Sequence, residues 1–257
     1  TNGRPDQREQ VDLWTEHTAR AVDAEPPYLR LLGPNQWLPD DVLPGFEELL
    51  GEWFDRMGAL ATELMAVFAL ALDLDEHHFE GLFGDERMSL TKLIRYPPTP
   101  PGAAGVNAHH DAGFLTILAP GETPGLQVQN PAGQWVPVDH VRGAFVINIG
   151  EMLQSMTGNY FVATPHRVIA TDLRYAAGYF HGPSLETPLG PLPLDPSVTA
   201  AVAASPRQAS AGCMATADET RAGVGDMASR HQPAVDGGQL WNYFARSYPE
   251  NMALHYS

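Results

Sequence analysis

Short apolar segments separated by turn residues fill residues 88–180 of the chain. The segments are rich in Val, Ile, Leu, Phe and Tyr, which favours β-strands. Pairs such as Pro-Gly, Asn-Pro and Gly-Asn stand between them, as is typical of turns. Many short strands of this kind predict a β-sandwich or a barrel. We expect strands at Met88–Tyr96, Phe114–Leu118, Leu126–Gln129, Trp135–Val138, Ala144–Ile149, Tyr160–Val162, His166–Ala170 and Tyr175–Phe180.

Helical patterns flank this β region on both sides. Residues 44–72 place apolar side chains at i, i+3, i+4 and i+7, which predicts a long helix that buries one stripe. We also expect a short helix at Glu76–Leu82 and a C-terminal helix in Gly238–Pro249. Residues 197–238 are rich in Ala, Ser and Gly, so we interpret them as a mobile segment or lid. The expected organisation is one domain with a helical and loop part at 1–87, a β core at 88–190, and a mobile segment with the C-terminal helix at 191–257.

Composition restricts the class of protein and of partner. With 257 residues, 44% of them hydrophobic, the chain can bury one full core. The formal net charge of −16 argues against non-specific nucleic-acid binding, because such binding depends on cationic side chains. One cysteine, Cys213, excludes an internal disulfide and fits a reducing compartment, so we expect a cytoplasmic protein. The longest apolar run, Met65–Leu72, is too short to span a bilayer, so no membrane partner is expected.

A His-His-Asp sequence at residues 109–111 is the clearest candidate for a metal site. In an extended strand, residues i and i+2 share a face, so His109 and Asp111 project together while His110 points away. His166 lies in another apolar, β-rich segment and is the third candidate ligand. Two imidazoles and one carboxylate leave the opposite positions of a metal open, which suits a non-haem Fe(II) oxygenase. Because the chain has 10 His, the spacing alone is weak evidence and the surrounding sequence has to support it.

Several motifs around these residues occur in a consistent order. They are Ala108-His109-His110-Asp111-Ala112-Gly113-Phe114, Gly125-Leu126-Gln127-Val128, Thr164-Pro165-His166-Arg167-Val168 and Arg174-Tyr175-Ala176 followed by Tyr179-Phe180-His181-Gly182-Pro183. Together they resemble the 2-oxoglutarate/Fe(II)-dependent dioxygenases of the isopenicillin N synthase-like family, over roughly residues 40–190. The resemblance implies a mainly β fold with flanking helices and a double-stranded β-helix, or jelly roll, as its core.

The start of the chain also resembles a known part of this family. Residues 1–40 show no clear single element, and Thr1 to Asp6 resemble the loop that follows an N-terminal subdomain in the family. We therefore expect that subdomain to be largely absent from this sequence.

The resemblance implies both the cofactors and the residues that hold them. His109, Asp111 and His166 are then the ligands of Fe(II), and 2-oxoglutarate and O₂ take the open positions. Arg174 is expected to hold the far carboxylate of 2-oxoglutarate by a two-pronged, charge-assisted bond. In the family this Arg belongs to an Arg-x-Ser pattern whose Ser also binds the carboxylate. Here Ala176 stands in place of that Ser, so the hydroxyl is missing.

Further residues are expected near the pocket. Arg95 lies in a strand that borders the metal pocket in the family, and it is either a contact of the cosubstrate or substrate or an ion-pair residue at the rim. Phe180 and Arg246, the latter in the C-terminal helix, are expected on the substrate side. The apolar residues expected to keep the pocket dry are Phe114, Leu126, Val168 and Phe180.

The expected function is a 2-oxoglutarate-dependent oxygenase that hydroxylates or desaturates a small metabolite, such as an amino acid or a natural-product intermediate, with release of succinate and CO₂. The Arg174-Tyr175-Ala176 sequence also resembles the branch that contains bacterial ethylene-forming enzymes, which leaves ethylene formation as an alternative. A 2-oxoglutarate-independent oxidase is a further alternative, although Arg174 speaks against it. A non-catalytic binding protein on the same scaffold is disfavoured by the intact triad, since fold alone does not establish function.

Overall fold

Two antiparallel sheets that pack face to face form the centre of the molecule. The computed structural model describes residues 5–84, 86–101, 103–205, 208 and 234–256. Its strands are β1 (Glu9–Trp14), β2 (Leu90–Tyr96), β3 (Val106–His109), β4 (Leu115–Ala119), β5 (Leu126–Gln129), β6 (Trp135–Pro137), β7 (Val146–Ile149), β8 (His166–Val168), β9 (Arg174–His181), β10 (Pro188–Leu189) and β11 (Ala234–Val235). The large sheet has the order β1-β2-β9-β4-β7, and the small sheet has the order β3-β8-β5-β6. This arrangement is the expected jelly roll.

Helices cover the outside of the large sheet and follow the β core. They are α1 (Phe46–Ala71), α2 (Glu151–Met156), α3 (Pro196–Ala204), α4 (Asp236–Ser247) and α5 (Pro249–His255), with short 3₁₀ helices at Pro27–Leu31 and Glu80–Leu82. In the described part of the chain, no helix is both long enough and apolar enough to cross a membrane.

The large sheet separates two apolar cores, because alternate residues of each strand point to opposite faces. Its outer face packs against the buried stripe of α1, which includes Met57, Ala61 and Met65. Its inner face packs against the small sheet. The inner core consists of Ile94, Tyr96, Val106, Leu126, Val168, Ala170 and Ala176. Strands buried on both faces are therefore apolar on both faces, and their sequences do not show which side faces inward.

Most of the predicted strands are found, and Leu126–Gln129 has the predicted bounds. The predicted strand Tyr160–Val162 is wrong. The backbone N–H of Phe161 donates to the hydroxyl of Thr157 just after α2, and the Phe161 ring packs edge-on against Phe68 of α1 at 5.0 Å. These residues are apolar because they face the helix, and they do not join a sheet.

The predicted helices also differ in detail. The long helix is confirmed, within two residues at its start and one at its end, as α1. The helix expected at Glu76–Leu82 is wrong apart from the 3₁₀ turn, since the Asp75 side chain accepts the backbone N–H of His77 and holds a turn there. The C-terminal helix is found as α4, and Pro249 begins α5.

The N-terminal region and the segment interpreted as a lid differ from the prediction or are only partly described. Strand β1 lies where the sequence showed no clear element, because only Leu13 of its six residues is buried. Most of the segment interpreted as a lid, residues 197–238, lies outside the described residues. Its described parts are the body of α3, Ser205, Gln208, the strand β11 and the start of α4. The division of the chain into three parts remains a prediction.

Candidate metal centre

The three candidate ligands come together where the small sheet meets the loop before β4. His109 ends β3, His166 begins β8, and the two residues are directly opposite each other in the pairing of these strands. Asp111 follows two residues after His109, and its carbonyl accepts the backbone N–H of Glu151 at 2.8 Å at the start of α2. Strand pairing therefore positions the two histidines, and the contact with α2 positions the carboxylate.

The ligand atoms of these residues lie close enough to share one ion. The metal-ligating atoms of His109, Asp111 and His166 are all within 4.8 Å of one another. Asp111 Oδ1 is 3.8 Å from His109 Nε2 and 3.6 Å from His166 Nε2. The two imidazole ring centroids are 4.2 Å apart. No other group of three such side chains occurs in the part of the chain that the structure describes.

Hydrogen bonds hold both imidazoles in the form that can bind a metal. Nδ1 of His109 lies 2.8 Å from the Asn107 carbonyl, and Nδ1 of His166 lies 3.1 Å from the Thr164 carbonyl. Since a carbonyl only accepts, Nδ1 donates in each ring and Nε2 keeps its lone pair free. Burial, and then the neighbouring His166, lower the pKa of His109 to about 4, so that ring is neutral at pH 7. Such backbone partners are typical of histidines that bind metals.

The residues around the triad support its geometry. Nδ2 of Asn148 on β7 donates to Asp111 Oδ2 at 3.4 Å, which leaves Oδ1 facing the two Nε2 atoms. Both the backbone N–H and the side-chain amide of Asn107 donate to Asp6 Oδ1, at 3.1 and 2.7 Å. The residue that accepts the His109 hydrogen bond is therefore itself fixed by the N-terminal segment.

His110 does not join the group. Its Nδ1 is 3.0 Å from Glu151 Oε1, and the side chain is buried against α2. The expectation that His110 points away from His109 and Asp111 agrees with this position. Loop and helix are in close contact here, because a Cβ on Gly150 would overlap the carbonyl of Gly113.

Arg174 lies buried on the inner face of the large sheet, 1% exposed, at the start of β9. Its Nη2 donates to the carbonyl of Pro120 at 2.8 Å. Nε and Nη1 are buried and have no hydrogen-bond partner among the described residues. A buried guanidinium with two such donors, and with no ion pair to a carboxylate among the described residues, is costly, and it fits a carboxylate that binds both donors. A 2-oxoglutarate molecule offers such a group.

Tyr96 is a neighbour of Arg174 that the sequence analysis did not single out. The two residues are opposite each other in the pairing of β2 with β9, and the guanidinium carbon lies 5.0 Å from the Tyr96 ring centroid. Burial raises the pKa of Tyr96, so the phenol stays protonated and can donate. Ala176, two residues after Arg174, is on the same face and brings no hydroxyl. The only sequence signal for Tyr96 was its place at the end of a predicted strand.

Comparison with known proteins agrees with this geometry. A family model described as the 2OG-Fe(II) oxygenase superfamily matches residues 85–183. Residues 85–183 therefore form a domain that belongs to that superfamily. The matched residues include His109, Asp111, His166 and Arg174, so the oxygenase domain contains both the triad and the guanidinium whose Nε and Nη1 have no partner among the described residues.

Individual relatives extend the likeness beyond the matched residues. The 2-oxoglutarate-dependent dioxygenase frbJ of Dothideomycetidae sp. is 31% identical over 78% of this chain and 56% of its own length. The homoarginine-6-hydroxylase 2-ODD-C23 of Glycine max is 32% identical over 75% of this chain and 60% of its own length. A full-length Neurospora crassa protein, solved in complex with alpha-KG, has a TM-score of 0.64 and 26% identity, and the match covers 74% of this chain and 59% of that protein. The chain thus spans little more than half the length of these proteins.

Arg95 does not lie on the inner face of the large sheet. On β2, Ile94 and Tyr96 face inward, and Arg95 is on the opposite face, where its Nη1 contacts Glu9 Oε2 at 2.8 Å. Its side chain is 42% exposed. This position favours the alternative reading of Arg95 as an ion-pair residue over a contact with the cosubstrate or substrate.

The other residues predicted near the pocket lie partly on the inner face of the large sheet and partly elsewhere. Phe180 is partly buried on the inner face of β9, the face that carries Arg174. Leu126 and Val168 belong to the inner core, as expected of a dry wall. Phe114 belongs to the outer core, against Phe83 at 5.2 Å, so its assignment to the dry wall is wrong. The side chain of Arg246 lies outside the described residues.

Proposed function

We propose that this chain is the core of an Fe(II)- and 2-oxoglutarate-dependent oxygenase that oxidises a small metabolite and releases succinate and CO₂. The proposal rests on two features that occur together in the same domain. The triad presents two free Nε2 atoms and one carboxylate oxygen, and a buried guanidinium on the inner sheet face has two donors without partners among the described residues. The first suits a metal with open positions, and the second suits a dicarboxylate cosubstrate.

In this proposal His109, Asp111 and His166 bind Fe(II). Bound Fe(II), with 2-oxoglutarate and O₂, would supply the oxidising chemistry, and the protein supplies position and exclusion of water. The Asn107 and Thr164 carbonyls keep both Nε2 atoms available, and Asn148 orients the carboxylate. Leu126 and Val168 keep the interior apolar.

Arg174 holds the far carboxylate of 2-oxoglutarate through Nε and Nη1. Because Ala176 brings no hydroxyl, the phenol of Tyr96 on the neighbouring strand is the group we assign to the role that the Ser has in the family. Its position opposite Arg174 supports this assignment.

The substrate class of the proposal is a small organic molecule. Among the relatives, one is named homoarginine-6-hydroxylase and another kihadalactone A synthase, and the Neurospora crassa protein was also solved with thymine. We propose hydroxylation or desaturation of such a molecule, in the cytoplasm, as the outcome. Succinate release that depends on Fe(II) and on the added molecule identifies the substrate.

Titration of the anaerobic, Fe(II)-loaded protein with 2-oxoglutarate tests the proposal. Chelation of the iron by the 2-oxo acid gives a weak metal-to-ligand charge-transfer band, which we expect in the natural protein. Arg174→Ala is expected to abolish the band at the same cosubstrate concentration, and Arg174→Lys to weaken it, because a Lys keeps the charge without the two-pronged geometry. Arg95→Ala on the opposite sheet face is the matched control and should leave it unchanged. Iron binding without a band in the natural protein would contradict the proposal.

Ethylene formation is the second candidate, and the sequence Arg174-Tyr175-Ala176 is the observation that favours it. Headspace gas chromatography during turnover of 2-oxoglutarate distinguishes the two. Ethylene in place of succinate identifies the second reaction.

A further inference from the structure

Lys92 is the only lysine of the chain, and it lies on the inner face of the large sheet. Strand alternation places it with Ile94 and Tyr96, the residues that line the jelly-roll interior. Its side chain is only 17% exposed. Its ammonium lies 5.9 Å from the ring centroid of Phe180 on the same face. Phe180 pairs with Thr116 and Thr116 with Asn148, the residue that donates to Asp111, so Lys92 lies on the metal side of the interior.

An aromatic ring lies beside this ammonium. Lys92 Nζ is 5.9 Å from the centroid of the Phe180 ring. The residue opposite Lys92 on β9 is Gly178, and a Cβ at that position would come within 3.1 Å of the Phe180 ring. Glycine therefore leaves room for the ring to lie along the strand. Lys92 and Phe180 together form one wall with a cationic part and an apolar part.

The carboxylate that contacts Lys92, that of Asp12, has a second hydrogen-bond partner. Lys92 Nζ contacts Asp12 Oδ2 at 2.6 Å, but both oxygens of Asp12 also accept from Gln10 Nε2, at 2.9 and 3.1 Å. An ammonium has three donors, and Asp12 is its one hydrogen-bond acceptor among the described residues. Lys92 can thus bind a second anion without leaving Asp12 unpaired.

We infer that Lys92 binds a carboxylate of the primary substrate while Phe180 contacts its apolar part, so that the substrate is an acidic small molecule. This inference rests on the proposed function, since it concerns the substrate of the same site. A half-buried ammonium gives a charge-assisted bond that a neutral amide of the same shape cannot replace. Specificity for acids over their amides follows from this difference.

Chemical protection of Lys92 tests the inference with a readout other than turnover. The anaerobic protein, loaded with Fe(II) and 2-oxoglutarate, is treated with an amine-acylating reagent, and acylation of Lys92 is followed by peptide mass spectrometry. Because Lys92 is the only lysine of the chain, acylation of a lysine side chain reports on this residue alone. We expect acetate, hexanoate or phenylacetate at millimolar concentration to slow acylation, and the matching amides to have no effect. Equal rates with every acid and its amide would overturn the inference. Slower acylation on addition of 2-oxoglutarate to the Fe(II)-loaded protein, with no other acid present, would also overturn it, because that result would place Lys92 at the cosubstrate.

Binding by calorimetry provides the second measurement. For the acid that protects best, we expect the natural protein to prefer it over its amide, and Lys92→Met to lose about ten- to a hundredfold of acid affinity, as for one lost charge-assisted hydrogen bond. Lys92→Arg should retain most of the preference, and Arg95→Met, on the opposite face of the same strand, all of it. An unchanged preference in Lys92→Met contradicts the inference. The charge-transfer band separates the two proposals, because its loss in all proteins, including the natural one, contradicts the proposed function itself.

Discussion

Two side chains on the inner sheet face, Arg174 and Tyr96, form the proposed binding site for the far carboxylate of 2-oxoglutarate. Arg174 is buried with two donors that have no partner among the described residues, and Tyr96 lies against it from the paired strand. Neither property follows from residue type alone. Both depend on the register of β2 with β9, which places these two residues opposite each other.

Tyr96→Phe tests the phenol at this position. We expect the dissociation constant for 2-oxoglutarate to rise about tenfold or more, since a hydrogen bond to a charged group is lost. The charge-transfer titration measures it. Tyr175→Phe is the matched control, because Tyr175 is 58% exposed on the outer face of β9 and should bind normally. Ala176→Ser is expected to offset the loss in the double variant. Equal effects of the two Tyr→Phe changes would exclude a specific role of the phenol.

The three candidate metal ligands could be predicted from the sequence, whereas the side chains of β2 that face the interior could not. The spacing from His109 to Asp111 depends only on strand alternation, and it holds although the strand ends at His109. On β2 apolar residues occur on both faces, so the sequence analysis considered Arg95 as a pocket residue and did not consider Lys92. A shift of one residue exchanges the two faces, and only the pairing of strands decides between them.

At the scale of elements, the contact of α2 with the loop after β3 matters most for the metal centre. The backbone N–H groups at the start of α2 bond to the carbonyls of Asp111, Ala112 and Gly113. Gly150 allows this approach, since a Cβ would overlap the Gly113 carbonyl. The sequence did not reveal α2, because six residues are too few for helical periodicity.

Gly150→Ala is therefore expected to move the loop that carries Asp111. We expect the free energy of unfolding to fall by about 1–3 kcal/mol, as for other overpacked sites, and iron affinity to fall with it. Urea denaturation and iron content after dialysis measure the two effects. The control is Gly51→Ala in α1, where a Cβ meets nothing within 4 Å and stability should rise by about 0.5–1 kcal/mol. Normal iron content in Gly150→Ala would show that the contact does not position Asp111.

At the scale of the whole molecule, the outer face of the large sheet buries a histidine that has no polar partner among the described residues. His181 is 2% exposed, stacks on Phe83 at 4.0 Å, and has no hydrogen-bond partner for either ring nitrogen among the described residues. Burial, and then Arg87, lower the pKa of His181 from 6.5 to about 3. Below pH 6.5 the unfolded chain takes up a proton that the folded chain does not, so stability falls as the pH drops from 6.5 towards 3.

His181→Phe is expected to remove this part of the pH dependence while keeping the stack on Phe83. At pH 5 the lost contribution corresponds to about 2 kcal/mol. We therefore expect the iron-free variant to lose about that much less stability than the natural protein between pH 7 and pH 5, as measured by urea denaturation. His77→Phe is the control, because His77 is exposed and pairs with Glu80 on the surface. A loss of stability in His181→Phe equal to that of the natural protein would show that His181 is protonated in the folded state.

The hydrogen-bonded series from Asp6 through Asn107 to His109 links the position of a candidate metal ligand to the N-terminal segment. A protease that cuts between residues 8 and 9 removes Asp6 and leaves every strand in place. Asn107 then loses both of its bonds to Asp6, and the ring of His109 is held less firmly. Iron retention after dialysis can therefore serve as a quality control for preparations of this chain, since it would fall with cleavage before any change in secondary structure could be detected.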